Sequence, residues 1–148
     1  MRIPERVEAI SRALPAWFGI EEAIREYVEA ARTLPTYAAM LGGQIVGVCL
    51  VRRHNLDAAE ITLLAVERPH RRGAGRALME AAELDLAADG LSYVQVKTLG
   101  PSRESPEYAA TRRFYTALGY LPLEEIHGLW PDTPCLIMVK RLASTAET

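Results

Sequence analysis

The segment RPHRRGAGR, residues 68–76, brings four arginines and two glycines together directly before an alanine-rich helical pattern. The N-terminus of a helix presents unpaired main-chain N–H groups and about half a positive charge, which favour an anion. Gly73 and Gly75 carry no side chain, so a ligand can approach the main chain closely. Three arginines beside them have forked donors that match phosphate oxygens: Arg71, Arg72 and Arg76. This segment, called the arm below, predicts a site for a phosphate or pyrophosphate.

Two familiar glycine loops do not account for the arm. A Walker loop ends in Gly-Lys-Ser or Gly-Lys-Thr, whereas residues 75–77 read Gly-Arg-Ala. A Rossmann fingerprint requires a third small residue where Leu78 stands, and an acidic residue at the end of a second strand farther along. Both alternatives are therefore excluded.

The elements that must position the arm follow from hydrophobic periodicity and turn signals. Helical spacing and end signals predict four helices, at 4–14, 20–32, about 75–88 and 107–118. Apolar runs bounded by turn residues predict six strands, at 36–41, 44–53, 59–66, 91–99, 120–126 and 135–142. A strand, a helix and a strand in succession imply a parallel pair with a right-handed crossover, while the other connections are hairpin-like. The predicted fold is α/β, with a central mixed sheet and helices on both faces.

Composition narrows the class of protein. A chain of 148 residues is the size of one domain, so we expect a single domain over 1–148 with a short polar tail at 143–148. No apolar run is long enough to cross a membrane, and the first residues lack a signal-peptide core, so a cytoplasmic location is expected. The net charge of −2 argues against a nucleic-acid partner, which usually requires a basic domain.

The cysteines and histidines do not suggest a metal site. Cys49 and Cys135 each lie in an apolar run, and no residues at metal-ligand spacing accompany them. The three histidines are scattered along the chain. We therefore expect no metal, and we interpret both cysteines as core thiols.

Two segments of the chain resemble the hallmarks of one enzyme family. AEITLLAVERPHRRGAGRAL, residues 59–78, resembles motif A of the GNAT superfamily of acyl-CoA N-acyltransferases, in which a Gln/Arg-x-x-Gly-x-Gly/Ala arm joins a strand to a helix. TRRFYTALGY, residues 111–120, is similar to the family's Ala-x-x-Phe-Tyr stretch on the next helix. Together with the strand order, the likeness covers residues 36–141. It implies a GNAT-like fold and an acetyl-CoA-dependent N-acetyltransferase.

The resemblance also implies where acetyl-CoA binds. Its pyrophosphate would lie on the main-chain N–H groups of residues 72–76, and its pantetheine arm would pair with the strand before the arm. Arg112 and Arg113 either reach the cofactor phosphates or are solvated on their helix. The predicted cofactor-binding residues are Leu64, Ala65, Val66, Arg71, Arg72, Gly73, Ala74, Gly75, Arg76 and Arg112.

Catalysis would require a base and an acid. Glu60 is the only acidic residue in AEITLLAV, and histone acetyltransferases of the resembling family have their catalytic glutamate at this point, so we interpret Glu60 as the base. Its apolar neighbours are expected to raise its pKa by desolvation. Alternatively, Glu60 pairs with Arg52 or Arg53, or binds the acceptor amine without moving a proton. Tyr115 occupies the position of the family's general acid; otherwise it packs beside Phe114 as a structural residue.

The acceptor is expected to be a primary amine of a small molecule or a peptide. The first helices and the connection before the last strand usually wall the acceptor pocket in this fold. Three aromatic residues in those segments are candidate substrate contacts or core anchors: Trp17, Phe18 and Trp130. Homodimers are common in the family, so a homodimer is one assembly open to this chain. The alternative function is a non-catalytic acyl-CoA-binding or sensing module.

Overall fold

The computed structural model describes residues 3–12, 21–67 and 73–143. Its elements follow the predicted order, ααβββαβαββ. The helices are α1 (Ile3–Arg12), α2 (Glu21–Ala30), α3 (Ala74–Ala88) and α4 (Pro106–Ala117). The strands are β1 (Thr36–Leu41), β2 (Gln44–Arg53), β3 (Ala58–Val66), β4 (Tyr93–Leu99), β5 (Leu121–Trp130) and β6 (Thr133–Arg141).

The six strands form one mixed sheet in the order β1-β2-β3-β4-β6-β5. β1 and β2 are an antiparallel hairpin in which Leu41 pairs with Gln44. Gly42 and Gly43 both have positive φ, which is the backbone that a tight hairpin turn requires. The predicted α/β class with a mixed sheet is confirmed, and the bounds of β1 and β2 agree with the sequence prediction.

Contacts divide the chain into two compact units. The first comprises residues 1–52 and 61–86. The apolar faces predicted for the first two helices pack in its core: Val7 and Ile10 of α1 are fully buried members of a hydrophobic cluster, and Tyr27 and Val28 of α2 pack against that cluster. The remaining core residues of this cluster are Ala31, which follows α2, and four strand residues: Val48, Leu50, Leu63 and Ala65.

The second unit comprises residues 53–60 and 87–148. Its strands β4, β6 and β5 pair antiparallel, with Val96 opposite Met138 and Leu121 opposite Val139. Helix α4 packs on β4 and begins at an N-cap, Ser105, whose hydroxyl accepts the main-chain N–H of Tyr108. The prediction of a single domain over the whole chain stays a prediction.

One predicted strand was too short. The prediction ended the fifth strand at residue 126, but β5 continues to Trp130, which pairs with Thr133. The register shifts between Ile126 and Trp130, and Gly128 in this stretch has a φ of 98°. A glycine can adopt that backbone conformation without strain, so the strand continues beyond the register shift.

Both cysteines are free and buried, as predicted. Burial, followed by the negative charge of Glu83, raises the pKa of the Cys49 thiol to about 12. A thiol with so high a pKa is not a nucleophile at neutral pH. Within the described part of the chain, no helix is both long and apolar enough to cross a membrane.

Candidate functional site

The described part of the arm leads directly into helix α3. Gly73 has a φ of 79°, and a Cβ placed there would meet no atom of the described residues within 4 Å. Helix α3 begins at Ala74, and the N–H of Ala77 donates to the carbonyl of Gly73 at 3.0 Å. The N–H groups of residues 74–76 precede that bond and so have no acceptor within the helix. The first turn contains no acidic residue, so the helix dipole is not neutralised there.

The side chains of the arm are only partly described. Arg76 is exposed and forms an i,i+4 ion pair with Glu80 at 2.8 Å. Such an exposed pair contributes little to stability and can open to admit an anion. Arg71 and Arg72 lie outside the described residues.

A buried arginine, which the sequence analysis missed, secures the strand that leads to the arm. The Arg6 guanidinium donates to the carbonyl of Ile45 at 2.9 Å and forms an ion pair with the Glu67 carboxylate. The N–H of Glu67 also donates to the carbonyl of Val46 at 2.9 Å. These contacts hold both the main chain and the side chain of Glu67, the residue that directly precedes the arm.

Gly47 on β2 allows close packing beneath the same region. A Cβ at this glycine would lie 3.1 Å from Val66 and 3.2 Å from Leu78 of α3. The glycine therefore lets the end of β3 and the first turns of α3 approach β2. Of the strand residues predicted to pair with pantetheine, Leu64 is half-buried, while Ala65 and Val66 are buried.

In the second unit, a set of polar side chains surrounds Glu60; we call it the polar cluster (His54, Glu60, Gln95 and Lys97). Oε1 of Glu60 lies 2.8 Å from Nε2 of His54, 3.1 Å from Nε2 of Gln95 and 3.3 Å from Nζ of Lys97. The Glu60 side chain is only 10% exposed. The cluster is therefore a nearly buried carboxylate that receives three donors on one oxygen.

This arrangement corrects the expected pKa of Glu60. Burial disfavours the charged form and raises the pKa, as expected from the apolar neighbours. The hydrogen bonds from His54 and Gln95, together with the positive charge and hydrogen bond of Lys97, outweigh burial, so the pKa lies below its ordinary value. The prediction of a raised pKa was wrong, and Glu60 is ionised at neutral pH.

The alternative prediction that Glu60 forms an ion pair with Arg53 is also wrong. That arginine pairs with Asp89 at 2.5 Å. The sequence analysis missed His54, Gln95 and Lys97 as partners. A weak signal was present, because Gln95 and Lys97 alternate along β4 and so lie on one face of it.

Tyr115 lies on α4 and is 8% exposed. Its ring packs edge-on against Phe114 at 5.4 Å between centroids and lies 5.7 Å from the ring of Tyr120. These contacts fix the orientation of the phenol. They fit the structural interpretation of Tyr115, and they would equally hold the hydroxyl of a general acid in place.

The two arginines of α4 differ in their surroundings. Nη1 of Arg112 donates to the carbonyl of Leu99 at 2.6 Å, so this side chain ties the helix to the end of β4. Arg113 is exposed to solvent. A guanidinium has five N–H donors, so Arg112 has further donors besides the one that bonds Leu99. Its role in binding the cofactor stays a prediction.

Trp130 lies on the wall of an open cavity of about 620 Å³ in the second unit. His127 and Gly128 of β5 line it together with Trp130. Arg103 and Asp132 also line the cavity, and Nη2 of Arg103 donates to the carbonyl of Asp132. The remaining lining residues are Ser102, Thr133 and Pro134. Trp17 and Phe18, the other predicted substrate contacts, lie outside the described residues.

Among the described residues, no group of three or more His, Cys, Asp or Glu side chains could hold a metal ion. The polar cluster combines one carboxylate, one lysine and one imidazole, a set suited to moving protons.

The family model and the relative that match this chain are both acetyltransferases. Residues 32–122 match the family model described as the acetyltransferase (GNAT) domain. An uncharacterized N-acetyltransferase of Chlorobaculum tepidum is 29% identical over 143 residues, which cover 91% of this chain and 83% of that protein.

Solved structures of similar proteins have the same fold. A GNAT-family acetyltransferase of Elizabethkingia anophelis with acetyl-CoA bound superposes with a TM-score of 0.69 at 16% identity, covering 87% of this chain and 88% of that one. The aminoglycoside 6′-N-acetyltransferase of Enterococcus faecium superposes with a TM-score of 0.69 at 20% identity, covering 96% of this chain and 93% of that one.

Proposed function

The chain belongs to the GNAT family of acetyltransferases and is an N-acetyltransferase, and we propose that it transfers the acetyl group of acetyl-CoA to a primary amine of a small molecule or peptide. In this proposal the amine attacks directly while both substrates are bound, so that no covalent enzyme intermediate forms. The buried thiol of Cys49, with its high pKa, is consistent with a reaction that needs no cysteine nucleophile.

The observation that carries the proposal is the open start of α3. Gly73 has a left-handed backbone, no described residue fills the space where its side chain would stand, and the first helical turn offers N–H donors without any acidic side chain. This arrangement suits a pyrophosphate such as that of acetyl-CoA. Bound acetyl-CoA would supply an acyl group activated as a thioester. We propose that the N–H groups of residues 72–76 hold its phosphates, with support from Arg71, Arg76 and Arg112.

The acceptor must lose a proton before it can attack. An alkylamine with a pKa near ~10.4 is almost entirely protonated at pH 7, and deprotonating it costs about 4.6 kcal/mol. We propose that the ionised carboxylate of Glu60 supplies the negative charge on which this deprotonation depends. Tyr115, whose ring is fixed by Phe114 and Tyr120, would donate its phenolic proton to the departing thiolate.

We place the acceptor in the cavity beside Trp130. An indole face can hold a cationic or flat group, and the acidic residue Asp132 lines the same cavity. Trp17 and Phe18 are kept as further proposed contacts. The indole of Trp130 and the acidic Asp132 favour an acceptor whose amine is attached to a cationic or aromatic group.

The test of the function is a turnover assay across a panel of primary amines. Thiol release from acetyl-CoA and the added mass of one acetyl group on the amine should appear together, and cationic and aromatic amines should react fastest. Acetyl-CoA binding without transfer to any amine would overturn the enzymatic proposal and favour the non-catalytic module.

A matched pair of tyrosine variants tests the proposed acid. Tyr115→Phe keeps the ring packing but removes the hydroxyl, so kcat should fall about 100-fold while acetyl-CoA affinity is unchanged. Tyr93→Phe removes an exposed tyrosine hydroxyl on β4 and should leave kcat at the wild-type value. Equal losses of kcat and affinity in Tyr115→Phe would make the residue structural.

A further inference from the structure

His54 lies in a turn whose main chain is fixed by hydrogen bonds. It follows the last residue of β2, and its N–H donates to the carbonyl of Ala58 at 3.0 Å. The side-chain oxygen of Asn55 accepts the N–H groups of Asp57 and Ala58, each at 2.8 Å. Three hydrogen bonds therefore fix the short connection between β2 and β3.

The contacts of Glu60 determine which imidazole nitrogen carries the proton. Gln95 and Lys97 approach Oε1 only as donors, and the Glu60 carboxylate is a pure acceptor when ionised. At 2.8 Å from the same oxygen, Nε2 of neutral His54 must therefore be the protonated nitrogen. Nδ1 is left as the basic nitrogen of the ring.

His54 also links the nearly buried carboxylate to solvent. Its side chain is 37% exposed, whereas that of Glu60 is 10% exposed. The imidazole lines an open cavity of about 440 Å³, together with Arg53, Asn55, Leu56, Asp89 and Leu91. A proton on His54 can thus exchange with the water of this cavity, which Glu60 could not do as readily from its position.

We propose that the Glu60–His54 pair, rather than Glu60 alone, is the proton acceptor of the reaction, and that the proton lost by the amine resides on Nδ1 of His54. This inference rests on the proposed function and identifies a catalytic group within it. An N–H bond of the acceptor ammonium breaks, water carries the proton, and an N–H bond forms at Nδ1. The pair changes from a net charge of −1 to zero, and the proton then leaves to solvent.

In this account Glu60 positions the ring and stabilises the imidazolium, as the carboxylate of a catalytic triad does for its histidine. The lowered pKa of Glu60 suits that role, because the carboxylate stays ionised throughout. Gln95 and Lys97 hold the carboxylate in turn. Histidine suits proton uptake near neutral pH better than a carboxylate whose pKa has been lowered.

Several charged groups face the pair and will influence its titration. Lys97 of β4 contacts Glu60, and Asp57 lies in the same turn as His54. Arg53 and Asp89 line the cavity but neutralise one another as an ion pair. On β6, the Cys135 thiol interacts electrostatically with Lys97 and Glu60. The pH profile of the enzyme should therefore report the pair as a unit.

The kinetic test is the pH profile of His54→Gln. A glutamine amide can still donate to Glu60 but cannot take up a proton, so the local structure is preserved. We expect kcat/KM for the amine to fall about 100-fold and the acid limb of the profile to disappear, with acetyl-CoA affinity unchanged. Gln44→Met, which changes an exposed glutamine at the start of β2, should keep the wild-type pH profile.

The tautomer provides a test that does not depend on turnover. Nitrogen NMR of the free protein at neutral pH should show His54 protonated at Nε2, and Glu60→Leu, which removes the acceptor, should weaken that preference. A ring protonated at Nδ1 in the wild type would overturn the proposal. So would His54→Gln with wild-type kcat/KM and an intact acid limb.

These outcomes are distinguishable from failure of the proposed function. A wild-type protein that does not bind acetyl-CoA overturns the proposed function, and this inference falls with it. A wild-type protein that acetylates amines while His54→Gln keeps its pH profile overturns only the role of His54.

Discussion

The arm and the polar cluster offer two different kinds of chemical group. The described end of the arm provides main-chain N–H groups from consecutive residues, Gly73 to Arg76, next to a glycine with a left-handed backbone. The polar cluster provides side chains brought together from residues 54, 60, 95 and 97. Main-chain donors tolerate many side chains but not a change of backbone shape, whereas the cluster depends on the identity of each group. The two regions should therefore fail in different ways, one through affinity and the other through turnover.

The largest expected effect is on turnover. Glu60→Gln removes the negative charge that the proposed proton transfer requires, so kcat/KM should fall about 1,000-fold while acetyl-CoA affinity stays unchanged. Steady-state kinetics and calorimetry together measure both quantities. Glu124→Gln, which alters an exposed carboxylate on β5, is the matched control and should behave as the wild type. A comparable loss of acetyl-CoA affinity in Glu60→Gln would remove the separation between the two regions.

The next effect is on affinity. Gly73→Glu introduces a side chain at a left-handed position and a negative charge where phosphates are proposed to bind, so acetyl-CoA affinity should fall about 100-fold. Gly43→Glu is a close control, because Gly43 has a φ of 80° and also has free space around it, but lies in the β1–β2 turn. Calorimetry should show normal affinity for the control. Equal affinity in both variants would contradict the assignment of the arm.

The smallest effect is on stability and depends on pH. The pKa of Glu60 is lowered by folding, so ionised Glu60 stabilises the folded state above its ordinary pKa of 4.5, and this contribution disappears as the pH falls through the lower folded pKa. At pH 7, the free energy of unfolding of the wild type should exceed that of Glu60→Gln by about 1–2 kcal/mol. Denaturant unfolding at a series of pH values should show this difference narrowing with acidification. A difference that is constant or grows in acid would be inconsistent with a lowered pKa.

The arm could be predicted from the sequence, whereas the polar cluster could not. The arm is local, so its glycines and the helix behind it could be identified from neighbouring residues, and helix α3 indeed begins at Ala74. The order of all ten elements is confirmed, as are the bounds of the first hairpin, because period and turn residues are also local signals.

The polar cluster could not be predicted in this way. Its contacts join residues 35 and 37 positions apart, and they depend on the register of strands that sequence patterns do not specify. The error in the pKa of Glu60 has the same origin. Its apolar neighbours along the strand were visible in the sequence, but the donors that outweigh desolvation lie on the following strand and in the preceding turn. The buried ion pair of Arg6 with Glu67 was missed because it joins residues 61 positions apart.

The most direct test of the central claim is a calorimetric titration of the wild-type protein with acetyl-CoA, with free CoA and ATP as comparisons. The proposed site predicts micromolar binding of acetyl-CoA that ATP does not match, because ATP shares the phosphates but lacks the pantetheine arm. No binding of acetyl-CoA, or equal binding of ATP, would contradict the proposal that this chain uses acetyl-CoA as its acyl donor.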